Sequence, residues 1–457
     1  MMRAKASVLV GLLWCLALLS VVVIGVLHTA RLNLMVVKNY GDLIQAHYLA
    51  LAGIEKAKAL LYQDAIDRRR SRQNHSGELY DAPQQFRDVT LGRGQFRVFR
   101  FGQPDEGGGI IYGVTDEESR LNVNRASAEE LAKLYGMTPD VAAAIIDWRD
   151  EDNAVTPGGA EADYYAVLEP PCLPRNGPLQ TTRELLMVRG VSRELLLGES
   201  ANQDGALDSV GNDSPDSSAL DRRAGILDEG WSGILTVDSS LENVNAAGED
   251  RVNVQSADEA SLASVRGISS DIAKAIVAYR GQNRLENLAD LLDVVAVRNQ
   301  NLPAPQGNPA QSPIPPNAPT PASLPSGPRV ISEELFLDVA DDFTTESGQD
   351  LPGLVNVNTA SRAVLMCLPG IDQELAQAIV SYRQSSGFFP NIAWLLKVPG
   401  MNQQIFKQLA PRVTARSETF RILSEGKVRS TGTRQRIQEI VHVGLRDIDV
   451  LSYREGP

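Results

Sequence analysis

The 457-residue sequence predicts an α+β fold: a long N-terminal transmembrane helix, a small antiparallel sheet, and a large inserted α-helical domain with helix-hairpin-helix repeats. Three observations predict it. An uncharged apolar run opens the chain, a motif of fixed internal spacing recurs three times, and segments alternating at period two lie on either side of the repeats. A chain of this length can bury several cores without disulfide support.

The apolar run is "VLVGLLWCLALLSVVVIGVL", Val8 to Leu27, and about 20 such residues cross a hydrocarbon core of ~30 Å. Arg3 and Lys5 precede it, so the positive-inside bias keeps the short N-terminus cytoplasmic and sends the bulk across the membrane. A cleaved secretory signal is the competing reading. It suits the sequence less, because the run is long for a signal and His28 stands where a small residue is needed. Val36, Tyr40, Leu43, His47, Ala50, Ile54, Ala57 and Leu61 then follow in steps of four and three, which continues the helix to Tyr62. Its length would be ~80 Å at 1.5 Å per residue.

The charged stretch "DAIDRRRSRQNHS", 64–76, reads as a solvated helix end. "GQFRVFRFG" and "GIIYGVTD" read as a hairpin around a Gly-rich turn. The repeats begin at "LNVNRASAEELAKLYGMTPDVAAAIIDWR" (Leu121–Arg149), continue at "VNVQSADEASLASVRGISSDIAKAIVAYR" (Val252–Arg280) and end with "VNVNTASRAVLMCLPGIDQELAQAIVSYR" (Val355–Arg383). In each, a glycine (Gly136, Gly267, Gly370) lies fourteen residues after an asparagine (Asn122, Asn253, Asn356), and an arginine (Arg149, Arg280, Arg383) lies thirteen further on. The spacing predicts a first helix opened by the hydroxyl of Ser127, Ser256 or Thr359, a left-handed turn at the glycine, and a second helix at once. A further apolar helix is expected in "LQTTRELLMVRGV", "LENLADLLDVV" and "FFPNIAWLLKVPGM". Segment 202–221 is polar and acidic, hence a loop, and the Pro-rich segment 301–328 is an extended spacer. The last forty residues alternate in short runs and end the chain in strands.

A net charge of -13 and a pI near 5.0 work against phosphate binding, which needs a basic face. In hairpins that grip DNA, a second glycine follows two residues after the first and exposes backbone N–H groups to phosphate; here Thr138, Ser269 and Asp372 occupy that place. No nucleic-acid partner is expected. Cys15, Cys172 and Cys367 show no metal-binding spacing, although a Cys172–Cys367 bridge stays open. His28, His47, His75 and His442 stand beside no candidate nucleophile, and no nucleotide-binding or hydrolase motif occurs, so no enzyme is expected. Around a Gly-Gly turn, Asp147, Asp150, Glu151, Asp152, Glu161 and Asp163 form an oxygen-only group whose hardness suits calcium rather than zinc, with a solvated acidic loop as the plainer reading.

"KASVLVGLLWCLALLSVVVIGVLHTARLNL" followed by "QAHYLALAGIEKAKALL" resembles the N-terminus of type IV pilin-like proteins, most of all the minor pseudopilin K (GspK) family of type II secretion systems. The resemblance implies a pilin-like helix and sheet with a helix-hairpin-helix-bearing insert. It also implies a leader that a prepilin peptidase removes between Ala6 and Ser7, Ala6 standing where the family has Gly, and methylation of the new terminus. The fifth mature residue is then Gly11, where major pseudopilins carry a glutamate; a carboxylate in hydrocarbon needs a partner, so its omission suits a subunit with no neighbour above it. The acidic stretch resembles the family's calcium-binding region, which implies Asp150, Asp152, Glu161 and Asp163 as ligands, with Asn153 and Glu169 as outlying candidates.

The family reading divides the chain into a leader (1–6), a transmembrane and pilin-like helix (7–62), the first part of the sheet (63–120), and an inserted domain with the first repeat and calcium loop (121–228). A strand with the second repeat (229–298), the spacer (299–328), the third repeat (329–413) and the C-terminal strands (414–457) complete it. The implied function is a minor pseudopilin at the tip of a periplasmic pseudopilus, initiating or capping it for protein secretion. Its partners would be I- and J-type minor subunits, the major pseudopilin, the inner-membrane secretion platform and the prepilin peptidase, with the chain anchored by one pass in the inner membrane. The alternative is a membrane-anchored helix-hairpin-helix DNA receptor of the ComEA type.

Overall fold

The structure, a computed structural model, describes residues 3–74, 77–198, 230–296 and 328–456. The acidic loop 202–221 and the Pro-rich spacer as far as residue 327 lie outside them.

Helix α1 runs from Arg3 to Ser71, nine residues past Tyr62. The extra turns are not simply solvated. Arg68 pairs with Asp64 at 3.0 Å, and Arg69 donates to the carbonyls of Gly444 and Leu445 at 2.9 Å each, which fastens the helix end to the chain's last hairpin. Of the predicted stripe, Ala50, Ile54, Ala57 and Leu61 are buried, whereas Val36, Tyr40 and Leu43 face solvent. One continuous helix thus has two environments.

Its C-terminal half packs on an antiparallel sheet of β1 (Val89–Leu91), β2 (Gly94–Val98), β3 (Thr115–Asp116), β4 (Thr419–Val428), β5 (Arg434–Val443) and β6 (Ile448–Gly456). The order is β1-β2-β4-β5-β6, and β3 pairs with the start of β4 through Phe420 and Asp116. Between them Ile54, Ala57, Leu61 and Ala65 meet Val98, Ile422, Ile437 and Val441 in one buried cluster. The expected hairpin is present as Arg100–Phe101 against Ile110–Ile111. Everything from Glu117 to Glu418 is an insertion between β3 and β4.

Three units of one design fill the insertion. Each begins with a two-residue strand, Leu121–Asn122, Val252–Asn253 or Val355–Asn356, and closes by pairing it in parallel with Leu235–Thr236, Phe343–Thr344 or Val413–Thr414. The first two units therefore run past the breaks read from sequence at 228 and 298, because a two-residue strand leaves no periodic signal. Each asparagine turns the chain by accepting the N–H two residues on, at 2.8–2.9 Å. The turn glycines adopt φ of +70°, +94° and +71°, as expected.

The helix caps differ from expectation. Ser127 caps its helix in a capping box with Glu130, but the caps of the other two units are Asp258 and Ser361, two residues beyond Ser256 and Thr359. The asparagine sets the register, and five residues separate it from the cap in all three. The three arginines reach back to the start of their units: Arg383 donates to Val357 O at 3.0 Å and Ala360 O at 2.7 Å, Arg280 to Val254 O, and Arg149 to Val123 O and Ala126 O. The expected further helices are single 3-10 turns, Thr182–Met187, Leu288–Asp293 and Ile392–Lys397. After each comes one more short helix, Arg193–Leu197, Glu333–Val339 or Gln403–Leu409.

In the first unit a second hairpin at Gly190 mirrors Gly136. A Cβ on Gly136 would come within 2.6 Å of Leu195, and one on Gly190 within 2.6 Å of Val141, so the two hairpins lock face to face. In the second unit the described residues on either side of 297–327 are stitched together by Val330 N–H to Val294 O and Ala296 N–H to Pro328 O, both 3.0 Å. Buried apolar side chains form one cluster through all three units. Cys172 and Cys367 are both free thiols, which closes the question of a bridge.

Candidate functional site

The oxygen-rich segment folds around the end of the helix Pro139–Arg149. Asp147 sits on its last turn, wholly buried, and Asp150 is its C-cap, so the three-residue step places both carboxylates on one side. Glu161 enters from the far side of the Gly-Gly turn, just before the short helix Ala162–Tyr165. Carboxylate oxygens of Asp147, Asp150 and Glu161 lie within 4.8 Å of one another. The loop between is pinned. Thr156 N–H donates to both Asp147 oxygens at 3.2 Å, Asn176 Nδ2 donates to Asp152 O at 2.7 Å, and Trp148 donates to Glu184 at 3.0 Å while meeting Tyr165 edge-on. A Cβ on Gly159 would fall 2.0 Å from Asp147 Oδ2, so only glycine lets the loop close over that carboxylate.

Both oxygens of Glu161 and one of Asp150 are buried and accept no hydrogen bond among the described residues. Burial, reinforced by the neighbouring acids, raises the pKa of each: Asp152 and Asp147 act on Asp150, and Asp150 and Asp147 act on Glu161. Three converging, unsatisfied or crowded carboxylates with oxygen as the only donor atom fit a calcium-class cation. Of the four ligands predicted, the structure brings together Asp150 and Glu161. Asp152 is exposed and accepts the Ala154 N–H at 2.7 Å, and Asp163 is exposed on the next helix; neither joins the group. Asn153 contacts Asn176, and Glu169 is exposed. The third member is Asp147, which belongs to the acidic group seen in the sequence but not to the four predicted ligands.

At the hairpins, Thr138, Ser269 and Asp372 each cap the second helix, accepting N–H from Val141 (3.3 Å), Ile272 (3.3 Å) and Leu375 (2.8 Å). Backbone donors that a phosphate would use are thus already taken by side chains of the chain itself, one of them a carboxylate. Within α1, the most apolar window has a mean hydropathy of 2.8 and is covered by none of the other described residues. This helix is long and apolar enough to cross a membrane, and Ala6, Ser7 and Gly11 lie in its first turns.

Residues 113–197, which hold β3, the first repeat and the carboxylate group, match the family described as "Type II secretion system (T2SS), protein K". That stretch of the chain therefore carries the sequence of a type II secretion protein K region. The chain's second and third units, at 248–303 and 353–414, match the helix-hairpin-helix motif. Among solved structures, this chain is similar to a chain of "The Crystal Structure of the GspK-GspI-GspJ complex from enterotoxigenic Escherichia coli Type 2 Secretion System". That likeness has 13% identity and a TM-score of 0.43 over 90% of this chain and 98% of that one. Among curated proteins it is 27% identical over 176 residues to the mouse "Endonuclease/exonuclease/phosphatase family domain-containing protein 1", and 45% identical over 56 residues to "Transcriptional accessory protein Tex" of Neisseria gonorrhoeae. These stretches make up 36% and 12% of this chain, which spans only 28% and 7% of those relatives' lengths.

Proposed function

We propose that this chain is a minor pseudopilin at the tip of a periplasmic pseudopilus, where it initiates or caps the assembly for protein secretion. The observation that carries the reading is the division of α1. Its apolar first half is bare, with Leu13 57% and Leu27 64% exposed, while its second half is fixed beneath a head whose sheet is interrupted by three helical units. A bare apolar rod is satisfied by lipid and by like rods, whereas a head this large on one end hinders addition of a further subunit beyond it. Gly11, uncharged, asks for no partner above. Partners on this reading are I- and J-type minor subunits and the major pseudopilin beside the rod, the inner-membrane platform beneath it, and a prepilin peptidase that cuts between Ala6 and Ser7.

A photoreactive residue in place of Trp14 tests this in native membranes. Crosslinks to smaller pilin-like chains are expected. Crosslinks to lipid alone, with the sibling subunits expressed, would end the tip reading.

The carboxylate group would hold calcium through Asp147, Asp150 and Glu161, tying the end of one helix to the start of the next. Bound calcium supplies positive charge to three acids whose mutual repulsion otherwise destabilises the loop. Calcium at one hundred times its Kd should stabilise the first unit by about 2.7 kcal/mol. Glu161→Gln should remove most of that gain, and magnesium, which keeps its own waters, should give little. Calorimetric titration and melting curves read both. A wild-type chain indifferent to millimolar calcium would refute the assignment.

A further inference from the structure

Where the sheet, the first unit and the third unit meet, the chain leaves a cleft of about 320 Å³. It lies apart from the carboxylate group, and nothing in the tip reading uses it. One wall is aromatic: Phe99 and Phe101 stand edge to face with centroids 5.8 Å apart, and Phe388, 42% exposed in the neighbourhood of Gln384, closes the rim. The other wall carries charge. Arg100, Arg383 and Arg421 line it together with Glu106 and Asp116.

The acids are already engaged. Both Glu106 oxygens accept from Arg100 at 2.7 Å, and Asp116 accepts from Asn356 at 3.1 Å, from Ser417 at 2.5 Å and from Thr359. The arginines are held but not used up. Arg421 lies side-on to Glu117 through Nε (2.7 Å) and Nη2 (3.1 Å), which leaves Nη1, and Arg383 gives Nη1 to two carbonyls and sets Nη2 3.8 Å from Asp105, which leaves Nε. Fixed guanidiniums with spare N–H groups make the unused hydrogen-bonding capacity of the cleft donor-rich, and a ligand must then bring acceptors. The phenylalanines require that those acceptors sit on an apolar body. The volume is at the lower end of the ~300–1,000 Å³ usual for ligand clefts, enough for the end of a chain and too small for a folded segment.

We infer that this cleft binds a carboxylate carried on an apolar group, and that its source is the C-terminus of another polypeptide ending in a hydrophobic residue. Arg421 and Arg383 receive the carboxylate, and Phe99, Phe101 and Phe388 cover the terminal side chain.

The test uses the full chain in nanodiscs, with N-acetylphenylalanine, its carboxamide and decanoate as probes, read by calorimetry and saturation-transfer NMR. The free acid should bind at least about tenfold more tightly than the amide, since a charge-assisted pair is lost with the carboxylate. Decanoate should bind more weakly than the acid. Phe388→Ala, a change at an exposed rim, should weaken the acid several-fold, and Gln384→Trp should block it while the melting curve stays unchanged. Equal binding of acid and amide, or no binding of the acid at about 10 mM, corresponding to less than roughly 3 kcal/mol, overturns the site. Decanoate binding more tightly than the acid overturns the polypeptide source.

Discussion

Gly426→Val should separate α1 from the sheet while leaving the three helical units folded. Gly426 lies near the end of β4, and a Cβ there would fall 2.1 Å from the Ala46 carbonyl oxygen and 2.5 Å from the Ala50 nitrogen. Both are backbone atoms of a helix interior, so no side-chain rotation relieves the clash. The contact is reciprocal: a Cβ on Gly53 of α1 would meet Ser424 Oγ at 2.2 Å and Phe96 at 2.9 Å. Helix and sheet therefore approach through two glycines to a distance that alanine already exceeds. Overpacking that rotamers absorb costs about 1–3 kcal/mol, and displacement of the whole helix should reach the top of that range or pass it. Hydrogen exchange is the measurement, because local opening is read residue by residue. A loss of roughly 3 kcal/mol is a factor of more than 100 in protection, expected over residues 46–65 and along β4, with residues 355–414 unaffected. Unchanged protection along α1 would mean that the close approach does not hold the head to its rod.

That contact is invisible in the sequence, although most of what surrounds it is not. Apolar steps of three and four in Ala50, Ile54, Ala57 and Leu61 announce the buried face of α1, and alternation announces β4, β5 and β6, because both periods extend over many residues. The repeats are legible from asparagine, glycine and arginine alone. Asparagine makes an Asx turn, glycine takes the left-handed conformation, and arginine returns to the first carbonyls of its unit. Features without a period escape. The two-residue parallel strands that close each unit have none, and the short 3-10 turns look like any apolar helix. The cap falls elsewhere than expected in two units because Ser256 and Thr359 are chemically as good as Asp258 and Ser361. Thr359 donates to Asp116 instead.

The carboxylate group shows the same limit. Asp150 and Glu161 stand out by their place in an acidic run, but burial decides the membership. Asp152 and Asp163 belong to the run and face water. Asp147 belongs to a helix and points inward, and the signal that could have found it is its three-residue spacing from Asp150 beside a glycine pair that only a large neighbour would require. The hairpins, read as packing devices from their missing second glycine, are packing devices in the fold. Gly136 meets Leu195, and Gly267 meets Leu335, each from the last short helix of its own unit.

The second large effect concerns the splice at which the insertion leaves the sheet. Asp116 and Glu118 are both buried there, and Glu118 accepts N–H from Ser240 at 3.3 Å and from Thr419 at 3.1 Å while its own carbonyl accepts from Asn356 N–H at 2.7 Å. The link between the first and second units, the third unit and β4 thus meet on one side chain or its backbone. Burial, with the Asp116 charge beside it, pushes Glu118 well above the usual carboxylate range, and burial raises Asp116 too. Glu117 differs: although burial opposes ionisation, Arg421 holds it below its ordinary value. A raised folded-state pKa means that the folded chain keeps a proton which the unfolded chain, with glutamate near 4.3, has lost. Stability is therefore fully present below about pH 4 and falls as pH rises through the folded value, by at most ~1.4 kcal/mol per pH unit for one proton. Asp238, pushed up to about 6 by burial and by Glu117, acts in the same direction but has finished by pH 7. Above that pH any further fall belongs to the Asp116–Glu118 pair. Glu118→Gln has one acceptor oxygen in place of two and so keeps only one of the bonds from Ser240 and Thr419, but it cannot ionise, so it should flatten that slope. Exchange of the Asn356 and Thr419 amides against pH reads the junction directly. A slope that survives Glu118→Gln unaltered would show that the proton is held elsewhere, and that insert and sheet are joined by packing alone.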